Sequence, residues 1–188
     1  MKILILFALK EECIELTSPL HELIFLPTGV GKVQSAIASY DAITKHKPDL
    51  VINIGTCGSV HHPVASIHVC HTFVDRDLEK LAVLHVPSLI TFKDDAPTMQ
   101  LLNQWHFNAI CNTGDTFLTE ADGTGDVFEM EAFAQASVCK HLNTPFASIK
   151  YVTDVIGQNS VQHWKDKLAD ARHALNLFLS ESLKTINS

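Results

Sequence analysis

Arginine is nearly missing from this sequence. Arg76 and Arg172 are the only two in 188 residues, against 21 acidic side chains and a formal net charge of −7. With no basic run to neutralise a phosphate backbone, nucleic acid is excluded as a partner. Cysteine pairing is missing too: Cys13, Cys57, Cys70, Cys111 and Cys139 contain no C-x-x-C, and an odd, scattered set fits a reduced compartment, here read as the cytoplasm. No apolar run is long enough for a membrane. The opening stretch Ile3 to Leu9 meets Lys10-Glu11-Glu12 well short of a span, with no small-residue cleavage site. Repeats, low-complexity tracts and linkers are absent, so residues 1–188 are read as one domain with one core.

What remains is an alternation of short apolar runs with helical patterns. Buried strands are expected at Lys2 to Ala8, Glu22 to Leu26, Leu50 to Ile54, Ile67 to Val74, Phe107 to Cys111 and Phe146 to Val152. Helical spacing is expected from Lys10 to Leu16, through Val33, Ala36, Ile37, Tyr40 and Ile43, at Ala96 to Gln104, at Ala132 to Leu142 and at Val161 to Leu183. Asp75 to Glu79 reads as a charged turn. The pattern predicts an α/β fold, a three-layer α/β/α sandwich around a mostly parallel central sheet.

In such sheets ligands collect beyond the carboxyl ends of the strands. Four of those ends carry candidate groups: Glu12, Thr56-Cys57-Gly58, Gly114 to Phe117, and Lys150 to Asp154. Taken alone, Thr153 and Asp154 are better explained as the cap of a following helix, and Glu129 and Glu131 as favouring the start of theirs. Gly29-Val30-Gly31-Lys32 has neither the loop length and hydroxyl of a Walker site nor the third glycine of a dinucleotide fingerprint, and is read as a tight strand-to-helix turn. His61, His62, His68 and His71 lack ligand spacing, and are read as solvated or hydrogen-bonded histidines with no metal.

Six segments nevertheless occur together in a familiar order: KILILFALKEE (Lys2 to Glu12), TGVGK (Thr28 to Lys32), VINIGTCG (Val51 to Gly58), NTGDTF (Asn112 to Phe117), FEMEA (Phe128 to Ala132) and VTDV (Val152 to Val155). With them the chain resembles the methylthioadenosine/S-adenosylhomocysteine nucleosidase family of the nucleoside phosphorylase superfamily, which includes futalosine hydrolases. The resemblance implies a nucleoside phosphorylase-like fold and an N-glycosyl hydrolase that needs no cofactor. It releases adenine or hypoxanthine from a 5′-substituted purine nucleoside, with water as co-substrate and a homodimer as the assembly. By the same resemblance Asp154, helped by Thr153, protonates or hydrogen-bonds purine N7. Glu12 holds and deprotonates the water, and Glu131 binds the ribose hydroxyls. Met130 lies against the sugar and Phe117 against the base, while Leu118 offers backbone groups to the purine edge. Thr56, Cys57, Gly58 and Glu129 complete the binding set, and Lys150 stands where several members have an arginine near the water.

Two segments, one between Phe117 and Glu131 and one after Asp77, look trimmed relative to the usual member. The 5′ side is thereby reduced to residues such as Leu9 and Val83, and futalosine-type substrates of menaquinone synthesis compete with methylthioadenosine. Phosphorolysis ranks below hydrolysis, because neither arginine lies at the glycine-rich turns. A purine-binding protein without chemistry also ranks below hydrolysis, because Glu12, Glu131 and Asp154 are all present.

Overall fold

The computed structural model describes residues 1–93, 98, 108–120, 123–158, 160–184 and 186, and their side chains except at 108 and 160–163. The helix expected at Ala96 to Gln104 lies outside the described residues.

The apolar runs become strands because both of their faces are covered. In β1 (Lys2–Phe7), Ile3, Ile5 and Phe7 point into one core, while Leu4 and Leu6 point into another. The same two-residue period divides Leu50, Ile52 and Ile54 from Val51 in β3 (Leu50–Ser59). The first core is closed by Ala171, Leu175, Leu179 and Leu183 of the long C-terminal helix α4 (Ser160–Leu183). The second is closed by α1 (Lys32–His46) and α3 (Ala132–His141), through Ala42, Ile43, Ala132, Phe133, Ala136 and Cys139.

Helices therefore cover both faces, and the α/β expectation holds. The sheet itself is not an open parallel layer. β1 pairs in parallel with β2 (Glu22–Pro27) and β3, and β3 pairs in parallel with β8 (Phe146–Val155). β4 (Ile67–Asp75) runs antiparallel to β8 and to β5 (Leu89–Thr91), and parallel to β6 (Asn108–Thr113). β7 (Val127–Glu129) then joins β6 back to β3. A ring β3-β7-β6-β4-β8 results, so the sheet is mixed and closes on itself. β5 and β7 carry only three residues each, too few for an alternating pattern to announce them.

Two local expectations are corrected, and the buried face of α1 is added. Lys10–Glu12 is a single 3-10 turn, where a helix to Leu16 was expected. β3 continues through Gly55 to Ser59, because its parallel partner β8 runs alongside to Val155; Asp154 accordingly lies inside a strand and not past its end. On α1 the buried residues are Ser35, Ser39, Ala42 and Ile43, while Val33, Ile37 and Tyr40 are 67%, 57% and 46% exposed. Small side chains let α1 approach α3 closely enough for Gln135 Nε2 to donate to Ser35 Oγ at 2.8 Å, and this rotates the larger apolar residues outward.

Candidate active site

A cavity of about 280 Å³ opens where the carboxyl ends of β1, β3 and β8 meet β7 and the N-terminus of α3. The residues that the resemblance assigns to catalysis and to base and ribose binding all line it: Glu12, Thr56, Cys57, Gly58, Phe117, Leu118, Glu129, Met130, Glu131, Lys150, Thr153 and Asp154. Leu9 is in the wall as well, whereas Val83 is 83% exposed and outside it.

Glu12 is buried at the exit of β1 by the 3-10 turn, which points its side chain inward and leaves Glu11 exposed. Its Oε1 accepts from the Thr56 amide at 3.1 Å and the Thr56 hydroxyl at 2.9 Å, and its Oε2 from the Leu9 amide at 3.2 Å. On the opposite wall Asp154 is placed by a β-bulge. Cys57 pairs with Val152 and Gly58 with Asp154, so Thr153 is the extra residue of β8. A bulge brings successive side chains to one side of a strand. Here it sets the Thr153 hydroxyl 2.7 Å from Asp154 Oδ1 and 3.2 Å from the Cys57 carbonyl.

Between these two lies a buried charge group. Glu129 ends β7, and its carboxylate accepts from the Glu131 and Ala132 amides at the N-terminus of α3 and from Thr113 Oγ1. Lys150 Nζ donates to it at 3.0 Å, both side chains being almost fully buried. Burial alone would raise the Glu129 carboxyl, but the Lys150 charge and these hydrogen bonds outweigh it and hold it below the usual range. Because Glu129 caps the helix, the N-cap residue Glu131 is free to face the cavity, where its Oε1 accepts from the Gly31 amide at 2.8 Å. Gly31 has φ +87°, a conformation that suits glycine, and its amide thereby turns toward the carboxylate. Burial first, then the charge of Glu129, push the Glu131 carboxyl up to about 8.

The glycine turn is thus occupied by the chain's own carboxyl groups. Besides Glu131 on Gly31, Asp115 accepts from the Lys32 amide at 2.7 Å, and Lys32 Nζ is ringed by Asp75, Asp77 and Asp115 at 3.0, 2.8 and 3.8 Å.

Several lining residues were not selected from the sequence, among them Val30, Asn53, Arg76, Ile156 and Trp164. A polar Asn53 within the apolar run Val51 to Ile54 was a usable signal. Arg76 and Trp164 gave none, because their partners are remote in sequence. Arg76 meets neither Gly29-Val30-Gly31 nor Gly55 to Gly58, but it does reach a different strand-end glycine. β4 and β6 are parallel neighbours, so the residue after β4 arrives beside Gly114, just after β6. Arg76, the first residue of the one-turn helix α2 (Arg76–Glu79), is 2% exposed, and its guanidinium donates to Asn112 Oδ1, to the Glu129 carbonyl and to the Thr116 carbonyl. A Cβ on Gly114 would fall 2.4 Å from Arg76 Cζ. Gly114→Ala is therefore expected to displace the guanidinium, break these bonds and destabilise the protein by roughly 2–4 kcal/mol in chemical denaturation. A loss below about 1 kcal/mol would mean that Arg76 moves aside at no cost.

Among the described residues no histidine lines the cavity. His62 and His68 stack with ring centroids 3.8 Å apart, His68 lies 2.9 Å from Ser66 Oγ, and burial pushes it down to about 4.

A profile of the phosphorylase superfamily matches residues 19–94 of the chain. At the next level, the 5′-methylthioadenosine/S-adenosylhomocysteine nucleosidase of Bacillus licheniformis is 31% identical over 191 aligned positions, covering 88% of this chain and 82% of the relative. The chain belongs to the methylthioadenosine/S-adenosylhomocysteine nucleosidase family. Its fold matches that of the Colwellia psychrerythraea nucleosidase in complex with adenine, with a TM-score of 0.80, 22% identity and coverage of 99% of this chain and 96% of the other. It equally matches a futalosine hydrolase mutant of Helicobacter pylori, with a TM-score of 0.83, 18% identity and coverage of 97% and 98%. Among the described residues no helix is long and apolar enough to cross a membrane.

Proposed function

We propose that the chain, acting as one domain in the cytoplasm, hydrolyses the N-ribosidic bond of a 5′-substituted purine nucleoside such as methylthioadenosine, S-adenosylhomocysteine or aminofutalosine. The observation that carries this reading is the convergence of Glu12, Glu131 and Asp154 on one cavity from three separate strand ends. Cleavage passes through a ribosyl cation, so the site must neutralise the departing purine, favour the cation and position a water. Asp154, its Oδ1 held by Thr153, serves purine N7. Phe117 lies on the base and Met130 on the sugar. Glu131 receives the ribose hydroxyls, and Glu12 orients the water and takes its proton. Glu129 and Lys150 neutralise one another and fix the N-terminus of α3. Lys150 keeps the positive charge that several relatives supply with arginine, without the fork.

Water is favoured over phosphate because the amides and the lysine that a phosphate would use already hold Glu131 and Asp115, with two more aspartates beside them. The reading is tested by incubating the protein with methylthioadenosine, S-adenosylhomocysteine, futalosine and aminofutalosine, with and without phosphate. Free ribose derivatives are expected in both conditions, and a ribose 1-phosphate would overturn hydrolysis. Release of base from futalosine or aminofutalosine alone would select the futalosine hydrolase alternative. The exposed stripe Val33, Ile37 and Tyr40 on α1 supports a homodimer, which sedimentation measures directly.

The Glu131 carboxyl gives a pH dependence. Raised from an ordinary 4.5 to about 8, it keeps in the folded chain a proton that the unfolded chain releases, so stability of the free protein is lost as pH rises across that window. Only the ionised form accepts both ribose hydroxyls, so KM for the nucleoside is expected to fall as pH passes about 8. Glu131→Gln should flatten that profile and weaken nucleosides far more than free adenine. Equal weakening of both ligands would make the residue structural.

A further inference from the structure

Trp164 stands in the second turn of α4, 108 residues from Thr56 in sequence, yet its indole Nε1 donates to Thr56 Oγ1 at 2.9 Å. The geometry points to Trp164 as a positioning residue for Glu12, acting through the Thr56 hydroxyl. The direction of the relay is fixed by chemistry. An indole N–H can only donate, so the hydroxyl oxygen must accept it, and the single proton of that hydroxyl goes to Glu12 Oε1 at 2.9 Å. Chained donors polarise one another, and the Thr56 amide adds a second bond to the same oxygen at 3.1 Å. Without the indole the hydroxyl rotor could turn away to water, leaving Glu12 with the Thr56 and Leu9 amides alone and its water-facing geometry looser. A tryptophan that merely lined the cavity would bury its ring without this bond; half-buried, it had solvent available for its N–H.

This assignment rests on the hydrolase reading, and its test separates the two. Trp164→Phe keeps an aromatic ring and deletes the donor. It is expected to lower kcat about five- to tenfold, the change that loss of one bond in a positioned network corresponds to, with KM within about twofold. In a Thr56→Val background the same substitution should change kcat by less than about twofold, because the relay is already broken. A KM increase at unchanged kcat, or additive effects in the double variant, would overturn the relay and leave Trp164 as a wall of the cavity. A second readout does not depend on turnover. The chain has two tryptophans, so Trp164→Phe identifies the Trp164 indole resonance by its disappearance. Glu12→Gln should move that resonance in otherwise wild-type protein and leave it in place in Thr56→Val. If no nucleoside is cleaved but the resonance responds in this way, the reaction is wrong and the relay stands; a resonance indifferent to Glu12→Gln sinks the relay whatever the activity.

Discussion

Glu12→Gln is expected to keep nucleoside bound while turnover falls by roughly 10³-fold, within the range for a positioned proton acceptor. The amide can still present one oxygen to the Thr56 donors on the Oε1 side. Its NH₂ then faces the Leu9 amide, a donor against a donor, so the orienting bond at Oε2 is lost along with the ability to take a proton. Water attacking a nearly free ribosyl cation loses its proton late, so what fails is chiefly position. Glu11→Gln should alter stability by no more than about 0.5 kcal/mol, since Glu11 is exposed on the other side of the turn. Adenine release and equilibrium binding, measured on both variants, decide the matter. An inactive Glu11→Gln beside an active Glu12→Gln would shift the exit of β1 by one residue.

Asp154→Asn should reduce kcat by at least ~100-fold with folding retained. The asparagine oxygen can go on accepting from Thr153, so the bulge survives, and what disappears is a carboxyl able to share a proton with purine N7. Calorimetry establishes that the variant is folded, and single-turnover rates then isolate bond cleavage. Near-normal turnover would remove Asp154 from the mechanism.

How much of this was legible beforehand differs from residue to residue. β1 and the first half of β3 were readable because a strand covered on both faces is apolar at nearly every position. Phe146 to Val152 was readable from its β-branched and aromatic residues despite Ser148 and Lys150, but not the continuation of β8 to Val155, where Thr153 and Asp154 follow. The helix α1 was readable from its spacing but its buried face was not: Val33, Ile37 and Tyr40 lie outside, and only the close approach of α3 explains why Ser35 and Ser39 lie inside. The cavity residues were found through short segments in a family's order, since each segment by itself permits a helix cap or a turn.

The sequence by itself determined the alternation of strands and helices, the burial of Ile3 to Phe7 and Leu50 to Ile54, and the choice of Glu12, Glu131 and Asp154 as candidates. The first two depend on residue type and on spacing over a few positions, and the third on the resemblance of short segments to a family's motifs. Only the tertiary structure decided that β8 lies between β3 and β4 and closes the sheet, that Lys150 is the partner of Glu129, that Arg76 lies against Gly114, and that Trp164 reaches Thr56. Those pairings join segments 21 to 108 residues apart. A chain brings such segments together only when burial of both apolar faces repays the entropy of closing the loops between them, and nothing local in the sequence encodes which remote donor will then face which acceptor.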